Sequence, residues 1–474
     1  MTERTAWRSL AGLTLLAAAL RLTRIGQQSY WLDEVFTVDL VNEDLWGMLK
    51  GVRETESTPH LYYLLAWLWE KLAGDGEGAL RSLSALFGVA TVPVVWQIAR
   101  EMFGLRAAVV AAALVAVNPW FVWYSQEARS YALLALLGAA SMLFFLRALR
   151  TESRRDLALW ALFSALALLT HYFAAFLVGA EAIWLLWTMR SRAAAAAGAV
   201  ASVGLALIPL AASQRGEGHT AFIDEIALGT RIADLPKRFV TGELGTPTPV
   251  IGPLAGLLVV AGLVLAFRAE RSRTLLLGAV AAVSVLVPIA LALAGPDLLL
   301  PRNAIAAYIP AAILVACGLA ASDRGLVAAA VLAAIMFAVT VQIAYDEDLQ
   351  RDDWRSAAEA LKRLEGEGRG VVVTSEPQIK PLEHYLGRLE PYPPDGATIQ
   401  EVVAIEATRE RATRPPVLPP PFHQVERVSE PSYTLVRFRS GPIQVVPGPV
   451  LEGARLDEEE AALRLQRPGY AGSP

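Results

Sequence analysis

Uninterrupted apolar runs of near-spanning length recur from residue 7 to residue 344. A soluble chain of this length would show amphipathic periodicity, with polar faces between short apolar stripes. The pattern predicts a polytopic α-helical membrane protein. Trp7–Leu22 follows Arg4 and Arg8 as a signal peptide would, yet the many runs behind it favour a retained first helix. The other predicted spans are about residues 81–99, 106–124, 131–149, 157–171, 172–189, 193–212, 250–268, 274–294, 303–320 and 325–344, eleven with the first. The run 157–189 is too long for one span and is divided at His171-Tyr172 into a tight hairpin.

The stretch His60–Leu72 is apolar but short, with Glu70 and Lys71 near its end. Charge decides its status. If it does not span, Arg100 and Arg106, Arg150 to Arg155, Arg190 and Arg192, Arg268 to Arg273 and Arg324 all fall on the side of Arg4 and Arg8. The positive-inside rule asks for that arrangement. His60–Leu72 is therefore expected as an interfacial helix on the outer surface. A first outer loop of about residues 27–79 results, and everything after residue 345 is placed outside the cell membrane. There the pattern changes. "DDWRSAAEALKRLEGEG" and "PQIKPLEHYLG" read as helices, "GVVVTSE" and "SYTLVRF" as strands, and "RPPVLPPPF" as a loop. This predicts a transmembrane domain at 1–345, a small extracytoplasmic α/β domain at 346–440, and a poorly ordered tail at 441–474, rich in Pro, Gly and Glu.

Composition adds little. The chain is 54% hydrophobic, and its formal charge of -4 is too small to imply a nucleic-acid partner. Its single cysteine, Cys317, lies in an apolar run and permits no intrachain disulfide. The five histidines, His60, His171, His219, His384 and His423, form no metal-binding spacing. Asp33 and Glu34 with a distant acid could hold a divalent ion, but nothing in the spacing demands one.

Once the inner arginines are set aside, a few polar residues remain at outer helix ends: Asp33, Glu34, His60, Arg81, Gln126, Glu127, Arg129, Tyr131, His171, Tyr172, Arg302 and Asn303. Ionisable groups at membrane depth are costly and tend to be functional. Each has a plainer reading. Asp33 and Glu34 could be solvated loop acids, but Tyr30, Trp31 and Phe36 would bury their turn. Arg129 could pair with Glu127 or Gln126, yet a helix N-terminus disfavours a cation and points to an anionic partner. Arg81 and Arg302 could be snorkelling anchors, and His171 an interface histidine. Taken together they read as one carboxylate site beside several phosphate-binding groups.

The stretches "WLDE", "TPHLYYLLAWLW", "ALRSLSALFG", "NPWFVWYSQEARSYALLALL", "LLTHYFAAF" and "LLLPRNAIAAYIP" occur in an order that resembles the GT-C membrane glycosyltransferases. The likeness is to bacterial relatives of the protein O-mannosyltransferases and of the lipid A aminoarabinose transferase, over about residues 7–345. Pro59-His60 departs from the usual pair of prolines, and Arg302-Asn303 from the usual arginine-aromatic pair. The resemblance implies a sugar donor carried on polyprenyl phosphate, transferred on the outer face to an acceptor hydroxyl with inversion. It implies Asp33 as the base and Arg81, Arg129 and Arg302, with His171, as the donor-phosphate site. Glu34 would orient the acceptor or the loop, and Tyr131 and Tyr172 would contact sugar or phosphate, with His60 beside them at the start of the interfacial helix. Such a donor leaves as a stabilised anion, so the division into one base and several cations is chemically sufficient. A transporter of lipid-linked sugars or a surface assembly protein are the rival readings. A transporter would carry ionisable residues along the depth of several spans, and the sequence shows them at one face instead.

Overall fold

The computed structural model describes residues 2–218, 220–243, 249–362, 364, 368–407, 414–457 and 461–467. The chain forms two compact units. One comprises residues 1–25 and 37–343, the other residues 26–36 and 344–474. The segment with Asp33 and Glu34, expected within a membrane domain 1–345, thus groups with the C-terminal residues.

α1 (Glu3–Leu22) precedes three short helices, α2 (Leu32–Asn42), α3 (Leu45–Thr55) and α4 (Leu61–Ala73). The division between units falls inside α2. α4 is the helix expected at His60–Leu72. There follow α5 (Glu77–Phe103), α6 (Leu105–Val117), α7 (Pro119–Ser125), α8 (Tyr131–Thr151), α9 (Arg154–Thr170), α10 (Ala174–Met189) and α11 (Ser191–Gly216). An amphipathic α12 (Leu228–Thr241) leads to α13 (Ile251–Ala269), α14 (Arg271–Ala294), α15 (Ile305–Ala320) and α16 (Asp323–Tyr345). Among the described residues seven helices are long and apolar enough to cross a membrane, or eight if α6 and α7 count as one bent span. Of the eleven expected spans, α1, α9 and α10 do not meet that standard; α9 and α10 are 17 and 16 residues long.

The apolar window of α15 is 89% buried and that of α8 78%, against 17% for α11 and α13. α8 and α15 are the centre of this unit, while α11 and α13 turn apolar side chains outward as lipid-facing helices do. Small residues let the helices close up. A Cβ at Gly318 of α15 would collide with the backbone of Gly262 and Ala266 in α13.

The span expected over 106–124 is broken. α6 and α7 meet at Asn118-Pro119 with a bend of 58°. A helix end leaves its last four carbonyls without intrahelical donors, and no water pairs them inside a bilayer. Here side chains from three other helices reach them. Tyr308 donates to Leu114 O (3.5 Å), Arg21 to Val115 O (3.1 Å) and Ala116 O (2.9 Å), and Thr340 to Val117 O (2.8 Å). Arg21 also donates to Ser125 Oγ (3.2 Å), and only a glycine at 88 leaves room for that contact. Asn118 Oδ1 accepts from Phe121 N (2.8 Å) and restarts the helix. Gln126 then donates to the carbonyls of Leu20, Arg21 and Thr23 at the end of α1. The bend and these ties determine where residues 126–129 emerge.

The second unit contains α17 (Trp354–Leu361), α18 (Ile379–Leu386) and a six-stranded sheet. The strands are β1 (Arg369–Val373), β2 (Glu390–Pro391), β3 (Ala397–Glu406), β4 (His423–Glu430), β5 (Tyr433–Val446) and β6 (Ala462–Gln466). Their order is β2-β6-β1-β3-β5-β4, with β1 parallel to β3 and the other pairs antiparallel. Every residue of β1 is buried, because alternate side chains enter two different cores. Val371 and Val373 pack with Trp354, Leu361 and Leu382; Val372 packs with Ile399, Val402, Phe438 and Leu451. The expected α17, β1, α18 and β5 are all present. Within the stretch expected to be a poorly ordered tail, described residues carry regular structure: β5 continues to Val446, a short helix covers Gly448–Leu451, and β6 pairs with β1 in the body of the sheet, while 458–460 and 468–474 lie outside the described residues. Leu451, Leu463 and Leu465 supply the apolar contacts that its Pro, Gly and Glu content obscured.

Candidate active site

Arg129 lies between α7 and α8 and is almost fully buried. Its two terminal nitrogens donate to the two oxygens of Glu56, at 2.6 and 2.7 Å, and one also reaches Thr37 Oγ1 (3.3 Å). The guanidinium sits 5.8 Å from the ring centre of Tyr63. Glu56 is 2% exposed, so this is a buried, bidentate ion pair. Arg129, for which the sequence offered Glu127 or Gln126 as plain partners, thus has an anionic partner in Glu56. Glu56 went unrecognised because "RETES" reads as a polar loop.

The segment around Glu56 is held on both sides. Gln214 of α11 donates to Val52 O (2.9 Å) and Thr58 O (3.0 Å), and accepts from the Tyr172 hydroxyl (2.7 Å). Tyr63 shares a hydrogen bond with Thr58 (3.1 Å). Ser84 donates to Arg129 O (3.2 Å) and bonds the Tyr62 hydroxyl (2.9 Å). Tyr172 thus serves this frame through Gln214.

Beside it, Tyr131 opens α8. Its ring lies 5.8 Å from that of His171 and 5.9 Å from the Arg302 guanidinium carbon. His171 is buried, accepts from Phe173 N (3.2 Å), and has Asn303, Arg129 and Arg302 as polar and cationic neighbours. Residues 129, 131, 171 and 302, drawn from three separate helix ends, therefore come together. Tyr124 continues the cluster: it stacks edge-on with Tyr131 (4.9 Å) and donates to Glu243 (2.7 Å), which also accepts from Trp120 (3.1 Å) and pairs with Arg238. Glu127, fully buried, is an electrostatic neighbour of Tyr124. No motif pointed to Glu243 or Arg238.

Other expected residues lie differently. Arg81 is 1% exposed, too buried for a snorkelling anchor, and donates to Ile25 O (3.1 Å) just beyond the end of α1. His60 bonds Leu49 O through Nε2 (3.1 Å), tying α4 to α3. Asp33 and Glu34 are in the first turn of α2, within the other unit; Glu34 is fully buried and Asp33 half-buried. His219 is outside the described residues. Among the described residues, no three His, Cys, Asp or Glu side chains are grouped to hold a metal ion.

Ionisable groups are not confined to helix ends, contrary to the expectation from sequence. Glu181, in the middle of α10, is fully buried, with Oε2 accepting from Ser141 (2.5 Å) and Trp160 (2.9 Å). Ser141 and Ser164 complete this polar contact between α8, α9 and α10.

Residues 57–213 match the model of the dolichyl-phosphate-mannose-protein mannosyltransferase family. The structure of ArnT from Cupriavidus metallidurans in the apo state aligns with a TM-score of 0.58 at 14% identity, over 92% of this chain and 98% of that one. The same protein bound to undecaprenyl phosphate aligns with a TM-score of 0.53 at 14% identity, over 90% and 97%. No curated protein sequence matches the chain. At this identity the alignments speak for the fold, and the family match covers the stretch that holds Arg129 and His171. The chain is a membrane protein of the GT-C fold, the fold of the membrane glycosyltransferases that it resembles in both sequence pattern and architecture.

Proposed function

We propose that the protein transfers a sugar from a polyprenyl-phosphate donor to an acceptor hydroxyl at the outer face of the membrane, with inversion. The observation that carries this reading is the convergence of buried Arg129, Tyr131 and His171 with half-buried Arg302 in one cluster at helix ends. Cations removed from bulk water and a hydrogen-bonding imidazole suit a departing phosphate, whose charge they stabilise as the glycosidic bond breaks. The undecaprenyl phosphate bound to ArnT supports the same class of donor. Arg302 and His171 are assigned to that phosphate directly. Arg129, neutralised by Glu56, contributes fewer donors and holds the site's wall. Arg81 is assigned to the frame at the end of α1. Asp33 takes the acceptor's proton and Glu34 steadies its turn. Tyr131 lines the sugar, and Tyr172 and His60 support the walls.

The test is transfer by the purified protein in detergent, using synthetic polyprenyl-phosphate hexoses and pentoses and a cell-envelope extract as acceptor. Release of polyprenyl phosphate is the readout common to every acceptor. Glu181 favours a second reading, a transporter of lipid-linked sugars, since a buried acid at membrane depth can carry a proton. A transporter would release no polyprenyl phosphate, and Glu181→Gln would abolish donor translocation in vesicles.

A further inference from the structure

The second unit is built around a segment from the far end of the chain. Residues 26–36 group with residues 344–474, although more than 300 positions separate them. The ties are directed at main chain. Arg351 N donates to Gln28 Oε1 (3.0 Å). Ser29 Oγ donates to Asp352 O (2.8 Å) and accepts from Trp354 N (3.0 Å), the first residue of α17. Tyr30 N donates to the Tyr385 hydroxyl of α18 (2.6 Å), and the Tyr30 ring meets that of His384 edge-on at 5.7 Å. On the far side of Asp33, Lys380 Nζ lies 4.5 Å from the ring centre of Phe36. Ser29, Tyr30 and Trp354 are each 1% exposed.

These contacts bracket Asp33 three residues away on either side. Tyr30 N–H precedes a helix start, where a backbone donor has no intrahelical acceptor; Tyr385 supplies one. A serine hydroxyl bound to one carbonyl and one amide of the same loop fixes the chain in register, which simple apolar adhesion would not. We propose that the C-terminal unit is a positioning device for the Asp33 carboxylate, acting through Ser29, Tyr385 and Lys380. The proposal rests on the reading of Asp33 as base. Asp33 must meet a hydroxyl within hydrogen-bond reach, and the energy of that geometry is supplied in advance by the clamp.

The test uses the full-length protein in detergent and the synthetic donor that the transfer assay selects. Ser29→Ala with Tyr385→Phe removes the two hydroxyls. Amide hydrogen exchange over residues 28–36 should then rise about three- to tenfold, the effect of a lost hydrogen bond or two. kcat should fall on the order of tenfold to a hundredfold, because small misplacements of a catalytic group cost that much. KM for the donor and affinity for polyprenyl phosphate should stay within about twofold, the range below which a ground-state contact is not implicated. A purely structural role would lower kcat and polyprenyl phosphate affinity together. Asp33→Asn should lose turnover with exchange unchanged. Lys380→Gln removes the cation over Phe36; should the double variant fail to fold, a kcat loss of about threefold at constant KM is the corresponding result. Faster exchange with wild-type kcat would overturn the proposal, as would unchanged exchange. If Asp33→Asn itself turned over at the wild-type rate, the reading of Asp33 as base would fail instead.

Discussion

Asp33 bears the sharpest prediction. On the proposed reading of Asp33 as general base toward the acceptor, its replacement by Asn should lower transfer by roughly 10²–10⁴-fold. Binding of polyprenyl phosphate should be unchanged, since the base acts on the other substrate. Glu34→Gln should be milder. Arg129 and Glu56 make a different case. Glu56→Ala leaves a buried guanidinium unpaired, and removing one member of such a pair costs about 3–5 kcal/mol. Thermal unfolding of Glu56→Ala, Arg129→Met and the double variant should show the double variant more stable than Glu56→Ala alone. Simple additivity would mean that the pair is not coupled. Arg302→Ala, by contrast, should weaken polyprenyl phosphate binding with little loss of stability, as direct titration would show. Arg302→Lys should restore only part, since it keeps the charge and loses the planar fork. The candidate residues were legible because polar groups at the ends of apolar runs are few. Their partners were not: nothing in "RETES" or "SQRG" says that Glu56 and Gln214 will be buried, because burial there depends on α11 packing against α3.

Among the elements, the break between α6 and α7 matters most. Pro119 follows an asparagine, so the chain could be read as one kinked span or as two helices, and the sequence alone favoured one. What makes the break stable is remote: Arg21, Thr340 and Tyr308 arrive from α1, α16 and α15 to meet the open carbonyls. Arg21→Met keeps the bulk and strands at least two of them, at about 1–3 kcal/mol for each buried group left unsatisfied. The expected result is a lower unfolding temperature and, because Gln126 and Arg129 follow the bend, weaker donor binding. Gly318 offers a cleaner packing test. Gly318→Val drives a side chain into the backbone of α13, and overpacking of this kind costs about 1–3 kcal/mol. An unchanged melting temperature would mean that the α13–α15 crossing can open without penalty.

For the molecule as a whole, the arginine parity predicts an inner N-terminus and an outer C-terminus. Reporter fusions after Glu70 and at the C-terminus should both read as outside; an inside position for either would invert the assignment of the helix-end cluster to the outer face. The class of protein was open to reading because the two signals involved are local. Apolar length decides membrane insertion, since backbone polar groups cannot remain unpaired in lipid, and Arg clusters between runs decide orientation. Likewise β1, α17 and α18 follow from patterns a few residues long. The order of the strands and the structure of residues 442–457 and 461–467 were closed to such reading. β6 has only five residues in a stretch of Glu, Pro and Gly, and it becomes a strand because β1 and β2 offer it unpaired backbone on both sides. The grouping of residues 26–36 with a unit that begins at residue 344 has the same origin. Apolar runs and charge parity are properties of neighbouring residues and survive in a one-dimensional reading. Pairings between Ser29 and Trp354, or between Glu56 and Arg129, join positions far apart in the chain, and their free energy exists only once the folded backbone has brought the partners within hydrogen-bond reach and excluded water from between them.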